Sequence, residues 1–225
     1  MAVPAQVFTV PLYFDYGATF LWGITGALVG ARRGYDLSGV AALALISSTG
    51  GGLMRDGLFL QNGPPALLQT SIYLLIVAAA AVLVFAVGAR LDHYRRYRHF
   101  SGLIQVVDAL GLGAYAVVGM QLAIDSGISL PGVVLIGLVN AVGGSILRDL
   151  FMRQEPEAFK PGTLTVVAVL ISCFVFIILE KGFGFSPYLA AWPAIFTAFA
   201  IRLFSVRYNI RTRPLHGFIP EDRHT

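Results

Sequence analysis

Apolar residues in this chain run in unbroken blocks rather than along one face of amphipathic segments. A helix that crosses the roughly 30 Å hydrocarbon core of a bilayer needs about 17 to 20 such residues. Seven blocks are of that order, at residues 12–31, 37–54, 66–89, 103–124, 131–147, 164–179 and 187–204. The pattern predicts an all-α polytopic membrane protein of seven transmembrane helices, with short connections that leave no room for a soluble domain. A single transmembrane domain would occupy 1–205, and 206–225 would form a tail. The first block carries Asp15 and has no basic residue before it, so it makes a poor signal peptide. Pro193 predicts a kink in the seventh block.

Composition agrees: 12% of the residues are charged, about half the share usual in a soluble domain. The mean hydropathy is +0.75. The single cysteine, Cys173, makes no internal disulfide. A net charge of +4 would attract nucleic acid only if it were clustered, and here it is spread over the flanks of the blocks. Arg32 and Arg33 follow the first block, and Arg90, Arg95, Arg96 and Arg98 follow the third. Arg148, Arg153 and Lys160 follow the fifth, and Arg202, Arg207, Arg211, Arg213 and Arg223 close the chain. The alternate connections hold only Arg55 and Lys181. Basic residues favour the cytoplasmic side, so the N-terminus is predicted outside and the C-terminus inside, in a prokaryotic plasma (inner) membrane.

Polar residues inside the blocks repeat. Gly50-Gly51-Gly52-Leu53-Met54-Arg55-Asp56 returns 93 residues later as Gly143-Gly144-Ser145-Ile146-Leu147-Arg148-Asp149. The same shift carries Asp15 to Asp108, Gly26 to Gly119, Gly34 to Gly127 and Gly39 to Gly132. This is an internal duplication, with repeats at about 12–98 and 103–183 and the seventh span, 187–204, left over. Each repeat holds three spans. An odd number turns the second copy upside down relative to the first, the arrangement of many secondary transporters.

Paired glycines weaken a helix, so Gly50-Gly51-Gly52 and Gly143-Gly144 are expected to break spans two and five. Freed carbonyls at that depth must line water or be buried in protein. Ser47, Ser48, Thr49, Asn140 and Ser145 place further polar groups beside both breaks. Arg55 and Arg148 are costly near hydrocarbon and are expected to pair with Asp15 and Asp108, or with the adjacent Asp56 and Asp149. Two readings stand: charged gates at the two mouths of a pathway, or ion pairs that only lock helix ends. Gly26-Ala27-Leu28-Val29-Gly30 reads as a packing face. No enzyme chemistry is expected, because His93, His99, His216 and His224 lack metal-ligand spacing and no block holds paired carboxylates. No cofactor is called for, and no metal beyond permeating monovalent cations. The loop from Arg90 to His99 carries topogenic charge that also suits anionic lipid headgroups.

Two copies of Gly-Gly-x-x-x-Arg-Asp, at the ends of spans two and five of a seven-span chain, resemble the trimeric intracellular cation channel family in its prokaryotic branch. The resemblance implies a homotrimer in lipid, with one pore per protomer around glycine-broken spans two and five, passing potassium and other monovalent cations. It carries the kinks to Gly50-Gly51-Gly52 and Gly143-Gly144 and the charged pore positions to Arg55 and Arg148. With the polar neighbours read from the sequence itself, the expected pore-lining and gating set is Ser47, Ser48, Thr49, Gly50, Gly51, Gly52, Arg55, Asp56, Asn140, Gly143, Gly144, Ser145, Arg148 and Asp149, with Asp15 and Asp108 as candidate charge partners. The trimer contacts are expected at Gly26 and Gly119. Leu53-Met54-Arg55-Asp56 stands where animal members have Lys-Glu-Val, so no phosphoinositide site is carried over. Some prokaryotic relatives are described as glycine transporters. That keeps open a carrier for a small zwitterion such as glycine, beside the weaker reading of a structural or lipid-binding protein.

Overall fold

A computed structural model describes residues 12–91, 100–159, 164–208 and 210. Among them are eight α-helices and no strand. They are α1 (Leu12–Arg32), α2 (Leu37–Met54), α3 (Ala66–Gln69), α4 (Ile72–Leu91), α5 (Phe100–Asp125), α6 (Leu130–Phe151), α7 (Thr165–Ile177) and α8 (Pro187–Arg207). Two of them run on in wider π-helical turns, α2 through Arg55–Leu60 and α7 through Ile178–Gly182. The third apolar block therefore divides. Thr70 is extended (φ −142°, ψ 140°) and separates the short α3 from α4.

Among the described residues, five helices are long and apolar enough to cross a membrane by length and composition: α2, α5, α6, α7 and α8. The apolar part of α4, Ile72–Val87, is shorter. In α1, Asp15, four glycines, threonines and aromatics dilute the hydropathy, and about half of the helix is buried against its neighbours. The most enclosed helix is α5, whose apolar stretch is 78% buried against 33% for those of α7 and α8. It packs against α1, α6, α7 and α8. Large apolar side chains point outward on the peripheral helices, among them Leu75, Phe85, Phe174, Trp192 and Phe196. That is the surface a hydrocarbon solvent accepts. Together these features make an all-helical membrane protein.

The ends of the helices follow local chemistry. Asp36 caps α2, accepting from Gly39 N–H at 2.9 Å and the Ser38 hydroxyl at 2.8 Å, and these bonds hold its carboxyl below the usual range. Gly34 (φ 74°) and Gly127 (φ 72°) stop α1 and α5 in the left-handed region, which costs glycine nothing. Tyr35 N–H and Ile128 N–H then bond back to Gly30 and Ala123 carbonyls. All three pairs differ by 93 residues. Proline does not interrupt α8, which runs through Pro193 as one helix; the Pro193 carbonyl takes the Thr197 hydroxyl.

The glycine clusters do the opposite of what the sequence predicts. Both helices continue through them, α2 across Gly50 and Gly51 and α6 across Gly143 and Gly144. Their role is close approach. A Cβ on Gly51 would collide with the Asn140 carbonyl, and one on Gly144 with the Ser47 carbonyl. At Gly50 and Gly143 a Cβ would stand 3.1 Å from the opposite glycine's Cα. These are one contact made twice with the halves exchanged, since 47 and 51 become 140 and 144 under the same shift. Gly26 and Gly119 also pack inside the chain, against Ser47 and Asn140 respectively. They are committed within the protomer rather than offered to a trimer partner.

Replacing Gly51 or Gly144 by Ala is expected to cost roughly 1 to 3 kcal/mol or more by overpacking, read as a lower midpoint of thermal unfolding in detergent. Gly17, exposed and with nothing within 4 Å of its Cβ position, is the control, and Ala there should hold or raise the midpoint. Equal midpoints for all three variants would contradict a tight crossing.

Candidate functional site

At the far end of α2 the chain forms a small half-open cavity of about 20 Å³, room for a water-sized guest. Polar groups from several elements face it: Asp15 and Thr19 of α1, Ser48 and Thr49 of α2, Arg55 and Asp56 of the π-helical turn, Tyr73 of α4 and Tyr115 of α5. Asp15 is 3% exposed and accepts a short hydrogen bond from the Tyr73 hydroxyl. The Thr19 hydroxyl lies 2.8 Å from the Asp15 carbonyl and 3.0 Å from the Tyr115 hydroxyl, which in turn reaches the Ser48 carbonyl, so two hydroxyl protons serve three contacts. The hydroxyls of Ser48 and Thr49 bond back to the Ala44 and Leu45 carbonyls at 2.7 Å each, a common way to satisfy a hydroxyl on a buried helix.

Each arginine takes the aspartate next to it. Arg55 Nε lies 2.6 Å and its second amino group 3.0 Å from the two Asp56 oxygens. Its remaining amino group reaches the Asn140 side-chain oxygen at 3.4 Å, and Asn140 donates to the Tyr115 carbonyl at 2.7 Å. Arg148 holds Asp149 with two bonds of 2.9 Å. The returning loops complete both pairs. Ala66 N–H donates to Asp56 at 3.0 Å and Glu157 N–H to Asp149 at 3.2 Å. In addition, Gln61 N–H and Gln154 N–H bond the carbonyls of the same two aspartates at 2.9 Å. Each Arg-Asp thus clamps the end of its helix to the connection that follows. A buried charge needs this kind of full hydrogen-bonding to be tolerated.

The expected partners Asp15 and Asp108 are held differently. Asp15 bonds to neutral Tyr73, and Asp108 forms an ion pair with Arg202 of α8 at 3.3 Å. Of the residues singled out from the sequence, Asp15, Ser48, Thr49, Gly52, Arg55 and Asp56 line the cavity. Ser47, Gly50, Gly51, Gly143 and Gly144 lie in the crossing. Asn140 bridges the crossing to Arg55. Asp108, Arg148 and Asp149 form the second cluster at the far end, and Ser145 bonds only the Val142 carbonyl of its own helix. Thr19, Tyr73, Tyr115 and Arg202 were missed. Arg202 had a signal, since a basic residue inside an apolar block is a functional candidate by default. Tyr115 had one too, as the counterpart of Trp22 under the 93-residue shift. His93, His99, His216 and His224, most of the Arg90–His99 loop and most of the basic tail lie outside the described residues.

Comparison with known proteins gives a consistent result. A family model described as glycine transporter matches the chain twice, at residues 12–89 and 105–181. The UPF0126 membrane protein of Deinococcus radiodurans is 36% identical over 145 residues; the match spans 64% of this chain and 64% of that relative's length. The UPF0126 inner membrane protein YadS of Escherichia coli is 23% identical over 199 residues, 88% of this chain and 93% of YadS. The solved structure of the TRIC trimeric intracellular cation channel orthologue from Rhodobacter sphaeroides superposes with a TM-score of 0.78. It is 27% identical and covers 90% of this chain and 99% of that one. The chain is a multi-pass membrane protein.

The clamp predicts a coupled stability effect. Arg55→Met alone strands Asp56 without its cation and is expected to cost about 3 to 5 kcal/mol. Adding Asp56→Asn, which removes that charge but keeps an acceptor for Ala66 N–H, should recover part of the loss in detergent unfolding. Strictly additive losses would contradict a dedicated pair.

Proposed function

This chain belongs to the family whose model, described as glycine transporter, it matches twice, and on that premise we propose that it is a cation channel of the trimeric intracellular cation (TRIC) kind. The observation that carries the reading is the polar cavity beside the α2–α6 crossing, in a fold that superposes on the Rhodobacter sphaeroides channel over nine-tenths of its length. Carboxylate, hydroxyl and carbonyl oxygens there suit a cation that has shed part of its water. Potassium is the proposed principal ion. Each protomer of a homotrimer would carry its own path, entering at Asp15 and Thr49 and leaving near Asp108 and Arg148. Between these ends α2 and α6 touch at their glycines, which we take as the closed conformation. Parting the two helices would open it.

The finer organisation belongs to the same proposal. Seven spans, α3 and α4 together counting as one, would form two inverted repeats plus α8. The reciprocal contacts of Gly51 with Asn140 and Gly144 with Ser47, and the doubled family match, support that symmetry. The distribution of basic residues supports an N-terminus outside and a C-terminus in the cytoplasm of a bacterial inner membrane. Carriage of glycine has a weaker case. A carboxylate ligand needs an available cation, and both Arg55 and Arg148 are bound to their aspartates.

Purified protein in a planar bilayer under a potassium chloride gradient tests the reading. Discrete unitary currents reversing near the potassium potential are expected. Silent bilayers, with counterflow of labelled glycine in liposomes from the same preparation, would replace the channel with a carrier.

A further inference from the structure

Under the 93-residue shift the two ends of the proposed path ought to be equivalent, and they are not. Asp15 and Asp108 correspond, as do Arg55-Asp56 and Arg148-Asp149. Around them the side chains diverge. Thr19 has Leu112 as its counterpart, Ser48 has Ala141, Thr49 has Val142, and Tyr73, second residue of α4, has Val166, second residue of α7. One end keeps four hydroxyls where the other has only hydrocarbon. The cavity lies at the hydroxyl-bearing end.

The charges diverge in the same sense. Those lining the cavity are Asp15, Arg55 and Asp56, a formal net −1; Arg55 is hydrogen-bonded to Asp56 and acts on Asp15 only through space, and the hydrogen-bond partner of Asp15 is a hydroxyl. At the other end Arg148 is likewise spent on Asp149, but Asp108 is neutralised by Arg202, 3.3 Å away and 2% exposed. Those four side chains sum to zero, and Glu157, the further carboxylate that faces Asp108, is exposed to solvent. Arg202 comes from α8, the one long helix with no counterpart in the duplication, so the asymmetry has been added from outside the repeat.

We infer that the path is electrostatically one-sided: Asp15 is the charge that gathers cations at the cavity, and Arg202 is the residue that cancels the same charge at the opposite mouth. This deepens the channel reading and rests on it. A fixed charge at a mouth raises the local cation concentration, and salt removes the effect, since the Debye length falls from about 30 Å at 0.01 M to about 3 Å at 1 M. Cations driven in from the Asp15 end should therefore carry more current than those driven the other way, at low salt only. The ratio of the two currents does not depend on which way a channel inserts.

The experiment is single-channel current against voltage in symmetrical potassium chloride at 10 mM and 1 M. Wild type should rectify at 10 mM by up to about fivefold, the weight of one unit charge met at 4 Å through water, and lose the rectification at 1 M. Asp15→Asn should abolish it at 10 mM by lowering the larger current. Arg202→Gln should abolish it by raising the smaller one, because Asp108 is then unmasked. Should Arg202→Gln assemble poorly, Arg202→Gln combined with Asp108→Asn restores a neutral end and should rectify like wild type. Conducting channels whose low-salt rectification is the same in wild type and Asp15→Asn would overturn the inference and leave the channel standing. So would a double variant that no longer rectifies. A wild-type chain that passes no current removes the channel reading and this inference with it.

Discussion

The crossing of α2 and α6 is the constraint on which the rest of the molecule depends. Two helices come so close that glycine at 51 and 144 faces the main-chain carbonyl of the partner helix. In a membrane no hydrophobic effect drives helices together, so close packing of small residues takes its place. The same closeness leaves no room in the crossing for side chains at four positions. The neighbouring polar side chains are displaced to its two flanks. One flank becomes the cavity of Asp15, Thr49 and Tyr115, and the other the cluster of Asp108, Arg148 and Arg202.

Charges this deep are costly unless matched nearby. The chain matches them in two ways. Arg55 and Arg148 are each satisfied by the aspartate that follows, and a returning N–H from the next connection also donates to that aspartate. That solution is local and could be duplicated along with the helix. The lone aspartates are satisfied at long range, Asp15 by α4 and Asp108 by α8. These long-range partners are where the two halves differ. The Arg-Asp clamps are common to the two halves, and the proposed difference between the two mouths lies in these partners.

What could be read in the sequence follows the range of the interaction. Helix limits were legible because length in hydrocarbon sets them; the second block, 37–54, coincides with α2. The doubled motif was legible because it recurs as a string, and the Arg-Asp pairing because the two residues adjoin. The glycines were legible as special and misread in kind. Composition cannot tell a glycine that loosens a helix from one that admits a neighbour, and only the carbonyl of Asn140 facing Gly51 decides it. Tyr73, and the pairing of Arg202, were hidden because the partners stand 58 and 94 residues away. The break at Thr70 went unseen inside a block that is apolar on both sides of it.

The central claim is that the cavity beside the crossing admits cations toward a path within each protomer. Anomalous diffraction from crystals soaked in a rubidium or thallium salt tests it directly. The account predicts a peak in the cavity, within ligand distance of Asp15 or of the Thr49 and Tyr115 oxygens, once in every protomer. Peaks confined to the surface or to a protomer–protomer axis, with the Asp15 cavity free of them at saturating salt, would contradict it.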